Sequence, residues 1–155
     1  MFDSRQAPAL RRVALGLNGG PTDPLVVRAG CELARPQKAT LVAIHVIEID
    51  WTHDLAEVVP GSSDRASTIL DLAEAAAEKA HVPLETQLLQ ARNVAAALLD
   101  ETVSQRADLL ILGLPYRKRF GGDFVMSNKI LYILENAPMA VYVVREPIPN
   151  PPPRP

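Results

Sequence analysis

The 155-residue chain is poor in cysteine and in long apolar segments, and each shortage excludes a class of protein. Because Cys31 has no second cysteine to pair with, the chain forms neither an intramolecular disulfide nor a thiolate metal cluster. No segment reaches the ~20 apolar residues of a membrane-spanning helix, so we expect no direct membrane insertion. The first residues also lack the apolar core of a signal peptide, and we therefore expect a cytoplasmic protein.

The chain also lacks an excess of either charge. Its 16 basic and 18 acidic residues give a formal net charge of −2, which does not support a nucleic-acid-binding surface. It contains no Ser-His-Asp set, no paired carboxylates and no metal-ligand spacing, so we expect neither a catalytic centre nor a metal site. The apolar fraction of 48% is ordinary for a globular domain, and the length suffices for one sizeable core.

The sequence does contain a regular alternation of strand and helix patterns. Apolar runs predict strands at 12–17, 40–47, 83–89, from Leu109 and at 139–144. Helical spacing predicts helices at about 23–34 and 62–79, after Asn93 and after Ser127. This alternation predicts an α/β fold, a doubly wound parallel sheet of five strands with helices on both faces.

The predicted second helix follows two serines that can cap it, Ser62 and Ser63. Its many alanines favour helix and permit close packing on a sheet. The side expected to face the sheet comprises Ile69, Leu72, Ala73, Ala76 and Ala80.

The long loop 48–61 and one histidine each have two interpretations. The loop contains Trp51, His53 and Asp54, and loops of this length are usually functional lids or mobile segments. Trp51 could therefore belong to a lid that stacks on a base, but an exposed loop with one partly buried aromatic is the favoured interpretation. His45 lies in an apolar strand, where a satisfied core or crevice-edge histidine is favoured over a metal ligand.

The stretch 107–144 reads as strand, basic loop, helix and strand. Gly113 ends the first of these strands, and the loop carries Arg117, Lys118 and Arg119 before two further glycines. Ser127 then begins the helix as its predicted N-cap. A strand that leads through a glycine loop into a helix N-terminus is the usual arrangement for holding an anion.

A second glycine loop, at Asn18, Gly19 and Gly20, follows the first predicted strand. In doubly wound sheets, ligands bind beyond the carboxyl ends of the strands where the winding direction reverses. For the strand order 3-2-1-4-5, this crevice lies between strands 1 and 4, where the two glycine loops meet. Topology and loop chemistry therefore predict one and the same site.

Three segments resemble a known family. They are His45-Val46, residues 107–113 (ADLLILG) and residues 137–145 (APMAVYVVR), and over about 11–145 the sequence resembles a universal stress protein domain. The resemblance implies the 3-2-1-4-5 sheet of the adenine nucleotide alpha hydrolase-like fold. It also implies frequent homodimerisation through the last strand and, in one subgroup, ATP binding.

The domain is expected to span 11–146, with a loose leader at 1–10 and a proline-rich tail at 147–155. The tail would be extended polyproline, either a docking segment for a partner or a disordered end. The run 119–123 (RFGGD) is similar to copies of the domain attached to transporters. This similarity implies a transporter as one conceivable partner.

The ATP-binding subgroup carries the motif G-x2-G-x9-G-[ST], and its frame falls here on Gly113, Tyr116, Met126 and Ser127. The spacing is kept, but Tyr116 and Met126 replace two glycines. Glycine lets backbone N–H groups approach a phosphate closely, so both replacements alter the loop. Two interpretations follow. The loop is either an altered cradle for an anion or a solvated basic loop over an empty crevice.

The resemblance implies the following roles if a nucleotide such as ATP or AMP binds. Asn18, in place of the family's acidic residue, would meet the ribose beside Gly19, and Val46 would lie against the adenine. The phosphates would meet Gly113, Tyr116, Arg117, Arg119, Ser127 and Asn128. The expected function is a regulatory nucleotide-binding module, and at most a weak ATP hydrolase.

The alternative function is a dimerisation or interaction module without a nucleotide. The last predicted strand would form the edge of the sheet, with Met139, Val141 and Val143 along one face. An apolar edge of this kind favours pairing with a second copy. These three residues are therefore the predicted dimer interface.

Overall fold

A computed structural model describes residues 9–57, 61–118, 124 and 126–148. The elements in chain order are β1 Arg12–Leu17, α1 Asp23–Ala34, β2 Thr40–Glu48, α2 Ser62–Lys79, β3 Leu84–Ala91, α3 Val94–Ser104, β4 Leu109–Leu114, α4 Asn128–Asn136 and β5 Ala140–Arg145. A 3₁₀ turn, Arg35–Gln37, follows α1. Most of the predicted leader, the run 119–123 and most of the proline-rich tail lie outside the described residues.

The five strands form one sheet in the order β3-β2-β1-β4-β5, which confirms the predicted topology. Every neighbouring pair is parallel. The strand β1 lies at the centre, where Val13 is paired with Leu41 on one side and with Leu109 on the other. Because β1 and β4 are neighbours reached by opposite winding directions, their carboxyl ends form the switch point of the sheet.

Each face of the sheet is covered by two helices, and alternate residues of β1 point to opposite faces. Val13 and Leu15 belong to the core under α1 and α2, whereas Ala14 belongs to the core under α3 and α4. All three are fully buried, which explains why the strand reads as a continuous apolar run. No helix within the described ranges is long and apolar enough to cross a membrane.

Two predicted helix caps are confirmed and one is wrong. The side chain of Asn93 accepts a hydrogen bond from Ala96 N (3.1 Å), and that of Ser127 accepts one from Ile130 N (3.4 Å). The helix α2 instead has Gly61 as its N-cap, at φ 82°, without a side-chain cap bond. Ser62 therefore begins the helix, because glycine can turn the chain into the first helical residue through positive φ.

The predicted inner side of α2 is only partly correct. Ile69 and Ala73 are buried, but Leu72 is 67% exposed and Ala76 is exposed as well. The helix packs over β2 and β3, so the side turned toward α1 stays open. Leu72 and Ala76 instead line a largely apolar groove of about 890 Å³ between α1 and α2.

Candidate functional site

A crevice of about 390 Å³ opens at the carboxyl ends of β1 and β4, on the face covered by α3 and α4. Its floor is formed by the ends of β1, β2 and β4, and its walls by the first turns of α3 and α4. It is smaller than the groove between α1 and α2, but it lies at the switch point where doubly wound sheets bind ligands.

The crevice brings together five of the nine predicted nucleotide-binding residues. They are Asn18, Val46, Gly113, Arg117 and Ser127. Gly19, Tyr116 and Asn128 lie next to lining residues in the chain but do not themselves line the cavity. The ninth residue, Arg119, lies outside the described residues.

The loop between β1 and α1 is held by its own hydrogen bonds. The Asn18 Oδ1 atom accepts a bond from Gly20 N (2.7 Å). The backbone N–H groups of Asn18 and Gly19 donate to the two carboxylate oxygens of Asp23, at 3.1 and 2.7 Å. The Gly19 N–H group is therefore engaged within the chain, and Asn18 offers its Nδ2 amide to a ligand.

Asp23 is a structurally important residue that the sequence reasoning missed. Burial raises the pKa of its carboxyl, and the N–H bonds from Asn18 and Gly19 oppose that shift. The charges of His45 and Arg65 also lower the pKa. The signal in the sequence was an acidic residue in the first helical turn directly after a glycine loop, where the helix dipole favours a carboxylate.

His45 joins the ends of two strands. Its Nδ1–H group donates to the Leu17 carbonyl oxygen over 2.7 Å, and the residue is buried. A histidine whose ring nitrogen is bound in this way fixes β2 to β1 just below the crevice. The interpretation as a satisfied core histidine is therefore confirmed.

Gly113 is required by packing against α1. A Cβ atom built there would lie 2.5 Å from the Cβ of Thr22 and closer still to its hydroxyl oxygen. Thr22 is fully buried just before α1, so it has little room to move. The motif glycine therefore has a structural reason that does not involve a ligand.

The two residues that replace motif glycines leave the crevice open. The backbone N–H of Tyr116 donates to Glu146 Oε1 (2.8 Å), which ties the start of the loop to the end of β5. The Tyr116 ring stacks on Phe124, with ring centroids 5.7 Å apart, and the Arg145 guanidinium lies 5.2 Å from its centroid. Met126 packs against the core under α3 and α4.

The first turn of α4 supplies the positive end of the crevice. Arg117 and Lys129 are both exposed and both line the cavity. The N–H groups of Asn128 and Lys129 have no intrahelical acceptor because they belong to the first turn. Free N–H groups at a helix N-terminus, with Arg117 in the loop before it and Lys129 in its first turn, suit an anion such as a phosphate. In the structure the Lys129 ammonium group lies 3.5 Å from Glu48 Oε2. Lys129, two residues after the predicted cap, was missed in the sequence.

Within the described part of the chain, the side chains that line the crevice include no carboxylate and no imidazole. Among the residues that the structure describes, no group of three or more His, Cys, Asp or Glu is placed to hold a metal ion. The fold and the crevice together define a doubly wound α/β protein with a ligand cavity at its switch point.

Comparison with known families identifies the family within this class of α/β proteins. Residues 9–145 match the model of the universal stress protein family, and the chain belongs to that family. No curated protein matches the sequence significantly.

Solved structures of universal stress proteins share the fold. One of them, described as a complex with cAMP, has a TM-score of 0.67 and 17% sequence identity to this chain. The match covers 89% of this chain and 98% of that protein's chain. The Archaeoglobus fulgidus universal stress protein in complex with dAMP has a TM-score of 0.69 and 14% sequence identity. That match covers 88% of this chain and 99% of the other chain. A universal stress protein family protein from Arabidopsis thaliana with AMP bound has a TM-score of 0.62 and 11% sequence identity. Here the match covers 88% of this chain and 92% of the other chain.

Proposed function

We propose that this protein is a regulatory module that binds an adenine nucleotide, such as AMP or ATP, in the crevice between β1 and β4. The observation that carries the proposal is an open 390 Å³ cavity at the switch point with Arg117, Lys129 and the α4 N-terminus at one end. Pockets of about 300–1,000 Å³ are typical of small-molecule sites. The similar structures described with cAMP, dAMP and AMP support an adenine nucleotide as the ligand.

The lining suggests one orientation for the nucleotide. The base lies against Val46, and the ribose hydroxyls accept from the Asn18 amide. The phosphate lies at the start of α4, near the backbone of Gly113 and Asn128 and the Ser127 hydroxyl. Arg117 and Lys129 neutralise its charge. In this proposal Gly19 and Tyr116 make no direct contact with the nucleotide, because their N–H groups already donate to the carboxylates of Asp23 and Glu146.

We propose binding without turnover. Hydrolysis of a phosphoanhydride requires a group that orients water and, in most enzymes, a metal held by carboxylates. Among the described residues, those that line the crevice offer neither. Release of inorganic phosphate from ATP should therefore stay at the background rate, and a rate above background that is lost in Lys129→Ala would show turnover at this site.

Ligand-dependent stability tests the binding proposal. A ligand at 100 times its Kd that binds only the folded state raises the free energy of unfolding by about 2.7 kcal/mol. Urea unfolding with AMP, ADP, ATP or cAMP should show a gain of this kind for at least one nucleotide, and none for adenine alone. Equal stability with and without all four nucleotides would contradict the proposal.

A second candidate function is dimerisation through β5. This strand is an edge of the sheet, and its Tyr142 side chain is 49% exposed. The predicted interface residues Met139, Val141 and Val143 are partly buried against the core of their own chain, so Tyr142 is the better probe. If copies pair along β5, Tyr142→Lys should convert a dimer to a monomer in sedimentation experiments. A transporter partner would depend on 119–123, outside the described residues.

A further inference from the structure

Trp51 is the only tryptophan of the chain, and it is 84% exposed. The sequence-based interpretation of a partly buried aromatic is therefore wrong. Leaving so large an apolar surface in water forgoes the favourable free energy of burial. The Trp51 side chain thus contributes little to the core, and its conformation calls for another explanation.

The Trp51 ring is supported from one side by Arg92. The guanidinium carbon lies 4.6 Å from the ring centroid, within the range of a cation–π interaction. Both terminal nitrogens of Arg92 also lie within hydrogen-bond distance of the His53 carbonyl oxygen, at 3.4 and 3.2 Å. Arg92 therefore connects the start of α3 to the loop that carries Trp51.

The described part of the loop, up to residue 57, is held by hydrogen bonds between its own residues and to β3. The Thr52 N–H group donates to Asp50 Oδ1 (2.9 Å), and His53 Nδ1 lies 3.0 Å from Glu57 Oε2. The Gln90 side chain on β3 donates to the Leu55 carbonyl oxygen over 2.9 Å. These bonds hold the backbone on either side of Trp51, and Arg92 contacts the ring itself, before any ligand arrives. Such preorganisation lowers the entropy lost on binding.

The ring lies at a small pocket that adjoins the crevice. This pocket of about 330 Å³ is lined by Glu48, Trp51, Arg92, Asn93, Val94 and Lys129. Val94 and Lys129 line the crevice as well, so the two cavities share a wall. Glu48 follows Val46 by two residues on β2, which places the pocket beside the base that is proposed to lie against Val46.

We propose that Trp51 and Arg92 form a stacking subsite for the base of the bound nucleotide, and this inference rests on the proposed function of the crevice. One face of the indole is covered by the guanidinium, and the opposite face is open to a planar ring. Aromatic side chains and Arg guanidinium planes are the two groups on which proteins stack bases. Purines, with the larger π-face, are the preferred ligand class.

Titration of the full chain with AMP and with ribose 5-phosphate tests the subsite. Ribose 5-phosphate keeps the sugar and phosphate contacts and lacks the base. AMP should change the fluorescence of the single tryptophan, and ribose 5-phosphate should not. In calorimetry, Trp51→Ala should weaken AMP binding about tenfold, the loss expected for one base-stacking contact, and Trp51→Phe should restore most of it. Ribose 5-phosphate affinity should be the same in all three proteins.

Two results would overturn the inference in distinguishable ways. If AMP binds the wild type and Trp51→Ala equally well and leaves the fluorescence unchanged, the subsite is refuted while the nucleotide crevice stands. If neither ligand binds the wild type, the proposed function fails and the subsite fails with it. Because Trp51 is exposed, its removal leaves the core intact, and far-UV circular dichroism of the variant confirms the fold.

Discussion

A side chain at position 113 would meet Thr22, which is fully buried between β4 and α1. By the resemblance, the same glycine stands at the first position of the motif carried by the ATP-binding subgroup. Packing alone explains its presence here. The proposal of a ligand therefore rests on other residues, Arg117 and Lys129, whose charged side chains line the crevice.

The substitution Gly113→Ala should destabilise the fold by about 1–3 kcal/mol, the usual range for overpacking a well-packed site. Gly16→Ala should cost less, because the atoms nearest to its added methyl group are the ends of the Leu112 and Leu98 side chains. Urea unfolding of both variants gives the comparison. A smaller loss for Gly113→Ala than for Gly16→Ala would contradict this account of the packing.

Asp23 should make stability depend on pH. Its carboxyl pKa is raised from 3.8 in the folded protein, mainly by burial, so the folded state holds its proton more tightly than the unfolded state. The resulting stabilisation is complete below pH 3.8 and is lost as the pH rises through the folded-state pKa.

Unfolding free energies of the wild type and of Asp23→Asn, measured across this pH range, isolate the effect. The wild type should lose stability relative to the variant as the pH rises, and the difference should be constant at higher pH. A difference that grows in favour of the wild type with rising pH would mean that the hydrogen bonds from Asn18 and Gly19 outweigh burial.

The position of Tyr116 in the motif frame could be predicted from the sequence, but the direction of its ring could not. Glu146 binds its backbone, and Arg145 lies over its ring, both from the end of β5. These partners are about thirty residues away in the chain, so local spacing carries no information about them. How Tyr116 alters the loop, as the sequence predicts that it does, is therefore decided by tertiary contacts.

At the scale of helices and strands, local signals were sufficient where they were strong. The bounds of α1 follow from Pro24 near its start and Pro36 after its end, and they agree with the structure. The inner side of α2 was less predictable because its alanines permit several rotations about the helix axis. Only the position of α2 over β2 and β3 decided that Ala77 is buried and Leu72 is exposed.

The N-cap of α3 gives a prediction at this scale. Asn93→Ala removes the acceptor for the Ala96 N–H group and should lower the unfolding free energy by about 0.5–2 kcal/mol. Asn93→Ser should retain most of the stability, because serine caps a helix about as well. Chemical denaturation of both variants tests the cap, and equal losses would show that the Asn93 side chain has another role.

For the whole molecule, the alternation of strands and helices was enough to predict a doubly wound parallel sheet. The resemblance to the universal stress protein family implied the order of its strands, and that order placed the crevice between strands 1 and 4. Parallel pairing and right-handed crossovers leave few topologies for five such units. The positions of Lys129 and Arg92 at the cavities were not predictable in this way. The first turns of α3 and α4 come together only once the helices are packed on the sheet.

Calorimetric titration with AMP tests most directly the central claim that an adenine nucleotide binds in the crevice. Three proteins are compared at one salt concentration: the wild type, the crevice variant Arg117→Ala/Lys129→Ala and the control variant Arg28→Ala/Lys79→Ala. The first double variant removes the two cations that line the crevice in the described part of the chain, and the control removes two exposed cations of α1 and α2. We predict that the crevice variant binds AMP at least about tenfold more weakly, since each charged hydrogen bond contributes roughly 1.5–3 kcal/mol. The control should bind like the wild type. Equal affinity in all three proteins, or no binding by the wild type, would contradict the account.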